Sequence, residues 1–104
     1  MLGPTAHTDS FTRDKLPPVT EWPEFNLDGF DYPEYLNAGV ELTDKMVEQG
    51  FGDNTALIGN GRQRTYKELA DWTNRIAHAL AEDYGVKPGN RILIRSANNP
   101  AMVA

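Results

Sequence analysis

A chain of 104 residues with a formal net charge of −5 and no cysteine is one domain at most, and three classes of function are excluded at the outset. Disulfide frameworks and thiolate metal sites need cysteine. A nucleic-acid interface needs clustered cations, whereas the 10 basic residues here are scattered among 15 acidic ones, and no apolar run approaches a membrane span.

Residues 1–33 carry Pro4, Pro17, Pro18, Pro23 and Pro33 with acidic residues between them, and show neither a helical nor a strand period. They predict an irregular arm. The first ten residues lack the apolar core of a signal peptide, so the cytosol is the default compartment. Phe11, Trp22, Phe25, Phe30 and Tyr32 make the arm too aromatic for a free disordered tail. Either it packs along a larger body, or it is a docking segment for a partner. Glu21, Glu24, Asp28, Asp31 and Glu34 lie on a proline-broken path that cannot fix a carboxylate pair for acid–base work. About 70 residues remain to build a core, against an ordering cost of roughly 1 to 2 kcal/mol per residue for the backbone alone. Little surplus stability is expected.

A helix is predicted over residues 37–49, with Asn37 as N-cap and Gly50 ending it in the left-handed conformation. Leu36, Val40, Thr43 and Val47 form its apolar stripe, widened by Leu42 and Met46. Glu41 and Lys45 make an i,i+4 pair on the wet face. Gly39 weakens the helix and would permit a close backbone approach.

Asn60-Gly61 is a type I′ turn signal, because both central residues must reach positive φ, so Thr55–Gly59 and Arg62–Thr65 should pair as a hairpin. Arg62, Gln63 and Arg64 read as solvent-facing. Gly59-Asn60-Gly61 is not the start of a dinucleotide loop, since Arg64 stands where the third glycine belongs and a strand follows. Thr65 and Glu68 have the spacing of a capping box. The helix they start buries Leu69, Trp72, Ile76 and Leu80, and pairs Asp71 with Arg75 and His78 with Glu82 on its outer face. Gly85 caps it, Val86 supplies the contact beyond, and Pro88-Gly89 turns the chain.

Arg91, Ile92, Leu93, Ile94 and Arg95 read as a strand covered on both faces, as in parallel α/β sheets. Strand, crossover helix and strand together predict a βαβ-like element. Asn98 or Asn99 can cap a further helix with Pro100 in its first turn. That helix is announced and the chain stops at Ala104, so the expectation is a piece of a longer protein.

No residue is assigned a catalytic, cofactor-binding or metal-binding role. His7 and His78 belong to no ligand-spaced cluster, and Ser10 and Ser96 lack a nucleophile-elbow context. Arg91 and Arg95 frame the predicted strand, where a salt bridge is the expected use.

Asp53-Asn54-Thr55-Ala56-Leu57-Ile58, Arg64-Thr65-Tyr66-Lys67-Glu68-Leu69, Asn74-Arg75-Ile76-Ala77-His78-Ala79-Leu80 and Gly85-Val86-Lys87-Pro88-Gly89-Asn90-Arg91-Ile92-Leu93-Ile94, in that order, resemble the amino-terminal region of AMP-forming acyl-CoA synthetases. Phe11-Thr12-Arg13-Asp14-Lys15-Leu16-Pro17-Pro18, Trp22-Pro23, Tyr32-Pro33-Glu34 and Asn98-Asn99-Pro100 are similar, more narrowly, to 2-aminobenzoate/benzoate-CoA ligases. The resemblance implies a truncated α/β amino-terminal portion of the large domain of an adenylate-forming enzyme, with an arm over 1–33 and the start of the adenylation domain over 34–104. It implies an enzyme that uses ATP, Mg and coenzyme A to convert a small-molecule carboxylic acid to a thioester. The family's Ser/Thr/Gly-rich phosphate loop, adenine motif, ribose-binding aspartate and catalytic lysine have no counterparts in these residues. No such residue is carried over, and none of these cofactors is expected to bind this stretch alone. The expected partner is the remainder of its own adenylation domain. The rival reading is a stand-alone acidic α/β binding or regulatory module.

Overall fold

The computed structural model describes residues 5–104, so Pro4 of the arm lies outside the described residues. In chain order the elements are α1 (Phe11–Asp14), α2 (Ala38–Leu42), α3 (Asp44–Met46), β1 (Thr55–Gly59), β2 (Arg62–Thr65), α4 (Tyr66–His78) and α5 (Pro100–Val103). A 3-10 turn spans Val19–Glu21, and π-helical turns span Val47–Phe51 and Ala79–Asp83. The result is a small mixed α/β structure.

The centre is where local chemistry is strongest. Asn60 and Gly61 both take positive φ, 52° and 71°, and β1 and β2 pair antiparallel with Ile58 opposite Gln63 and Gly59 opposite Arg62. The register shifts between Thr55 and Leu57, a bulge that leaves Ala56 without a partner residue. Thr65 ends β2 and caps α4. Its hydroxyl accepts the Glu68 N–H at 3.2 Å, and the Glu68 carboxylate accepts the Thr65 N–H at 2.9 Å, which closes the predicted capping box. α4 then packs on α3, β1 and β2, burying Leu69 and Ala70, while Trp72, Ile76 and Leu80 are half-buried. Gly85 follows with φ of 64°, and the Val86 N–H closes back on the Leu80 carbonyl at 2.9 Å.

Two expected elements need correction. The helix over 37–49 is not continuous. Asn37 caps it and Gly50 takes φ of 89°, as read, but the chain breaks at Thr43, where φ and ψ are −126° and −75°. The Thr43 hydroxyl lies 2.7 Å from the Gly39 carbonyl oxygen and 2.8 Å from Asp44 Oδ2, and its single proton serves one acceptor at a time. Back-bonding of this kind bends helices. It also buries Thr43, whereas Leu42, expected on the stripe, is 68% exposed. At Gly39 an added Cβ would meet only the capping Asn37 side chain, so the glycine marks no tertiary approach.

Residues 91–95 do not form a strand. The one sheet among the described residues is β1–β2, and the backbone groups of Ile92, Leu93, Ile94 and Arg95 take no hydrogen-bond partner there. Leu93 is 93% exposed and Ile94 68%. A buried central strand needs ladders on its edges and cover on its faces, and nothing among the described residues supplies either. The described part of the arm has only two short helical turns. Ser10 precedes the single turn α1, and Trp22 closes the 3-10 turn while donating its ring N–H to the Pro17 carbonyl at 2.9 Å.

The radius of gyration, 16.8 Å, exceeds the roughly 13 Å of a compact domain of this length. Only Leu69, Ala70 and Thr43 are buried among the described residues. With so small a core, the capping box carries an unusual share of the order in α4. Thr65→Ala is expected to weaken α4 by about 1 kcal/mol, read as roughly fivefold faster amide exchange at Glu68; unchanged exchange would show that packing alone holds the helix start.

Candidate functional site

The concave places on the described surface are shallow and poor in reactive groups. A cleft of about 260 Å³ lies between the hairpin turn and α5, bordered by Asn60, Arg62, Arg64, Trp72 and Pro100. Arg62 and Arg64 share one face of β2 by the strand period, and the Arg64 guanidinium sits 4.4 Å from the Trp72 ring centroid. The cleft holds no general base or nucleophile. A wider depression of about 750 Å³ separates the arm from the start of α2 and contains His7 and Glu34, which no hydrogen bond joins.

His78 borders a third depression with Asn74 and Glu82. The expected His78–Glu82 pair does not form, because the helix widens into the π turn after His78 and residues four apart no longer stack. The pair Asp71–Arg75 does form on the regular turns of α4, at 3.2 Å, and Glu41–Lys45 forms across the break at Thr43. Ser10 donates to Asp14 at 2.7 Å, and Ser96 to the Ala97 carbonyl at 3.0 Å, so each hydroxyl has a local structural partner. No group of three or more His, Cys, Asp or Glu gathers to hold a metal among the described residues. Nor is any described helix long and apolar enough to cross a membrane.

A polar cluster joins the arm to the turn at residues 87–91. Thr8 and Asp9 donate their N–H groups to the Pro88 carbonyl at 2.9 and 3.2 Å, and the Thr8 hydroxyl adds a third bond at 3.1 Å. The Asp9 carboxylate accepts from the Phe11 N–H at 3.0 Å, from the Asn90 amide at 3.0 Å and from Arg91 at 3.3 Å. Arg91 also lies 4.2 Å from the centroid of the Phe11 ring. Sequence reading expected an ion pair at Arg91 but could not name its partner, which is 82 residues away. The Phe11 N–H first, then the Asn90 amide, hold the Asp9 carboxyl below its ordinary value of 3.8; desolvation opposes them, and the charge of Arg91 adds a smaller lowering.

A family model described as AMP-binding enzyme matches residues 45–104, more than half of the chain. The chain belongs to that family. Among curated relatives it is 38% identical over 69 residues to the 3-hydroxybenzoate–CoA/4-hydroxybenzoate–CoA ligase of Thauera aromatica, covering 66% of this chain and 13% of the relative. Against the benzoate–CoA ligase of the same organism it is 36% identical over 62 residues, covering 60% and 12%. The acetyl-coenzyme A synthetase of Streptomyces avermitilis shares 38% over 64 residues, covering 57% and 10%. The chain thus spans only about an eighth of the length of the aromatic-acid ligases it matches. No solved structure matches it significantly. The AMP-binding match begins within α3 and includes the hairpin, α4 and the exposed segment, whereas the Asp9 cluster links it to the arm outside the match.

Because the Asp9 pKa is depressed in the folded chain, its contribution to holding the arm is fully present above the ordinary carboxylate value. That contribution is lost as pH falls through the lowered one. His7 and Arg13 border the same pocket as Asp9 and Ser10, so the titration must be read at Asp9 itself. Its side-chain carboxyl carbon, followed by NMR, is expected to titrate with a midpoint below 3.8; a midpoint at or above that value would mean that the carboxylate is not engaged.

Proposed function

We propose that the chain is the amino-terminal portion of an AMP-forming acyl-CoA ligase acting on an aromatic carboxylate of the 2-aminobenzoate or benzoate type. The observation that carries this reading is similarity to ligases named for hydroxybenzoate and benzoate. Acetyl-coenzyme A synthetases match at comparable identity. The aromatic preference therefore rests on the resemblance of the arm and of Asn98-Asn99-Pro100 as well.

A free carboxylate is a poor acyl donor, since it carries negative charge and would have to expel oxide. In the reaction proposed for the whole protein, the carboxylate oxygen attacks the α-phosphorus of ATP and releases pyrophosphate. The coenzyme A sulfur then attacks the acyl carbon of the adenylate, and AMP leaves. Mg, when bound with ATP, would balance the phosphate charge. No residue of this chain is assigned a contact with ATP, Mg, coenzyme A or the acid. Residues 1–33 are assigned to the arm and 34–104 to the start of the adenylation domain, with the compartment taken as the cytoplasm.

On this reading residues 91–95, which form no strand here, would pair only with neighbours from the remainder of the adenylation domain. The exposed Ile92, Leu93 and Ile94 support it, since each would gain roughly 1.5 to 3 kcal/mol on full burial. The rival, a stand-alone module, draws on the exposed Phe25, Phe30, Tyr32 and Tyr35, of which Phe30 and Tyr32 stack at 5.7 Å.

Intact mass of the native gene product, followed by ATP–pyrophosphate exchange with 2-aminobenzoate, benzoate and acetate, separates the two. The expected result is a product several times longer than 104 residues that exchanges with the aromatic acids, while the chain alone is inert. A native mass equal to this chain would overturn the enzyme reading, and preference for acetate would overturn the aromatic one.

A further inference from the structure

The backbone at Gly89 has φ of 93°, and an added Cβ would lie 2.4 Å from the Asp9 carbonyl oxygen and 3.0 Å from its nitrogen. Those neighbours are backbone atoms, so relief requires the arm itself to move. The Pro88–Gly89 turn is closed by the Asn90 N–H on the Lys87 carbonyl at 2.9 Å, with the Asn90 side-chain oxygen accepting the Lys87 N–H at 2.9 Å. One face of this rigid turn therefore presents the Pro88 carbonyl, the bare Cα of Gly89 and the Asn90 amide to Thr8 and Asp9. The next residue, Arg91, is held between the Asp9 carboxylate and the Phe11 ring.

Beyond Arg91 the chain is bare until it is caught again. Asn99 donates to Ser96 at 3.1 Å and caps α5 through the N–H groups of Ala101 and Met102. α5 rests on β1, where the missing side chain of Gly59 admits the Pro100 ring. The exposed apolar residues are strung between these two anchors.

We propose that residues 8–11 form a clasp that docks the arm on the 87–91 turn and, through Arg91, fixes the path of the exposed segment that follows. The clasp makes the arm part of a conformational device. Released, the root of the segment is free to swing on the turn; engaged, Ile92, Leu93 and Ile94 are held at a set position between two fixed ends. The inference goes beyond the ligase reading and does not depend on it, since it concerns contacts within this chain alone.

The test uses the chain as it stands, with Asp9→Ala and Gly89→Ala variants. Amide exchange is followed at Thr8 and Asp9 for the clasp and at Leu69 and Ala70 for the core, and trypsin cleavage after Arg91 and Arg95 is timed in parallel. In the unmodified chain Thr8 and Asp9 should be protected. Each variant should expose them by about fivefold or more, the effect of losing bonds of about 1 kcal/mol, and should speed cleavage after Arg91 and Arg95 while leaving Leu69 and Ala70 unchanged. Arg75→Gln, which removes a remote ion pair, should alter none of these readings. Unprotected Thr8 and Asp9 in the unmodified chain would overturn the clasp. Unchanged cleavage in variants that free the arm would overturn its hold on the segment. Loss of core protection alongside the arm would show that the contact is not a separable device. None of these outcomes bears on ATP–pyrophosphate exchange, so the clasp and the ligase reading fail independently.

Discussion

Thr65 has to be two things at once, the last residue of β2 and the N-cap of α4, and the packed part of the chain depends on that coincidence. Its extended backbone, φ −79° and ψ 166°, suits both roles. The helix therefore leaves the hairpin with no connecting loop, and its direction is set by the strand. That direction brings Leu69 and Ala70 against β1 and α3. A longer linker would add conformational freedom that three buried residues could not offset. The Asn60–Gly61 turn upstream serves the same end, because it fixes the register that places Thr65 at the strand end.

What was legible in the sequence was local. Asn60 and Gly61, Thr65 with Glu68, Asn37, Gly50, Gly85, Asn99 and Pro100 each act within a few residues of themselves, and each takes the conformation its chemistry requires. The failures came where a local rule met a non-local or competing demand. Thr43 sat at the right period for a buried stripe and is buried, yet its hydroxyl broke the helix that carried it. His78 and Glu82 had the right spacing, but the helix changed its pitch between them. The segment 91–95 had the composition of a central strand. Composition specifies a wish for neighbours; it does not provide them.

The same division governs function. Caps, turn and apolar stripe mark a scaffold, and the AMP-binding match runs through this scaffold. The hairpin cleft, with Arg64 laid over Trp72, has charge and an aromatic wall but no group to take or give a proton. A resemblance carried by scaffold residues transmits the fold of a family more securely than its substrate. Relatives named for hydroxybenzoate, benzoate and acetate all match this chain at similar identity. Residues that pack a helix on a hairpin have no contact through which to tell one acid from another.

Arg91 shows how a residue can be necessary to such a scaffold without being legible in it. Its guanidinium meets an aromatic ring and a carboxylate together. A planar cation can lay its face toward the Phe11 ring while directing an edge N–H at Asp9. Lysine would bring one compact ammonium, strongly hydrated, to the same place, and would have to divide it between the two partners. The pairing is half-exposed, so its Coulomb energy is small. Its effect is geometric: arginine ties the arm to the first residue of the exposed segment, and the carboxylate that receives it is already fixed by the Phe11 N–H and the Asn90 amide. A weak contact made by preorganised groups can set the path of a chain that has no ladder to set it.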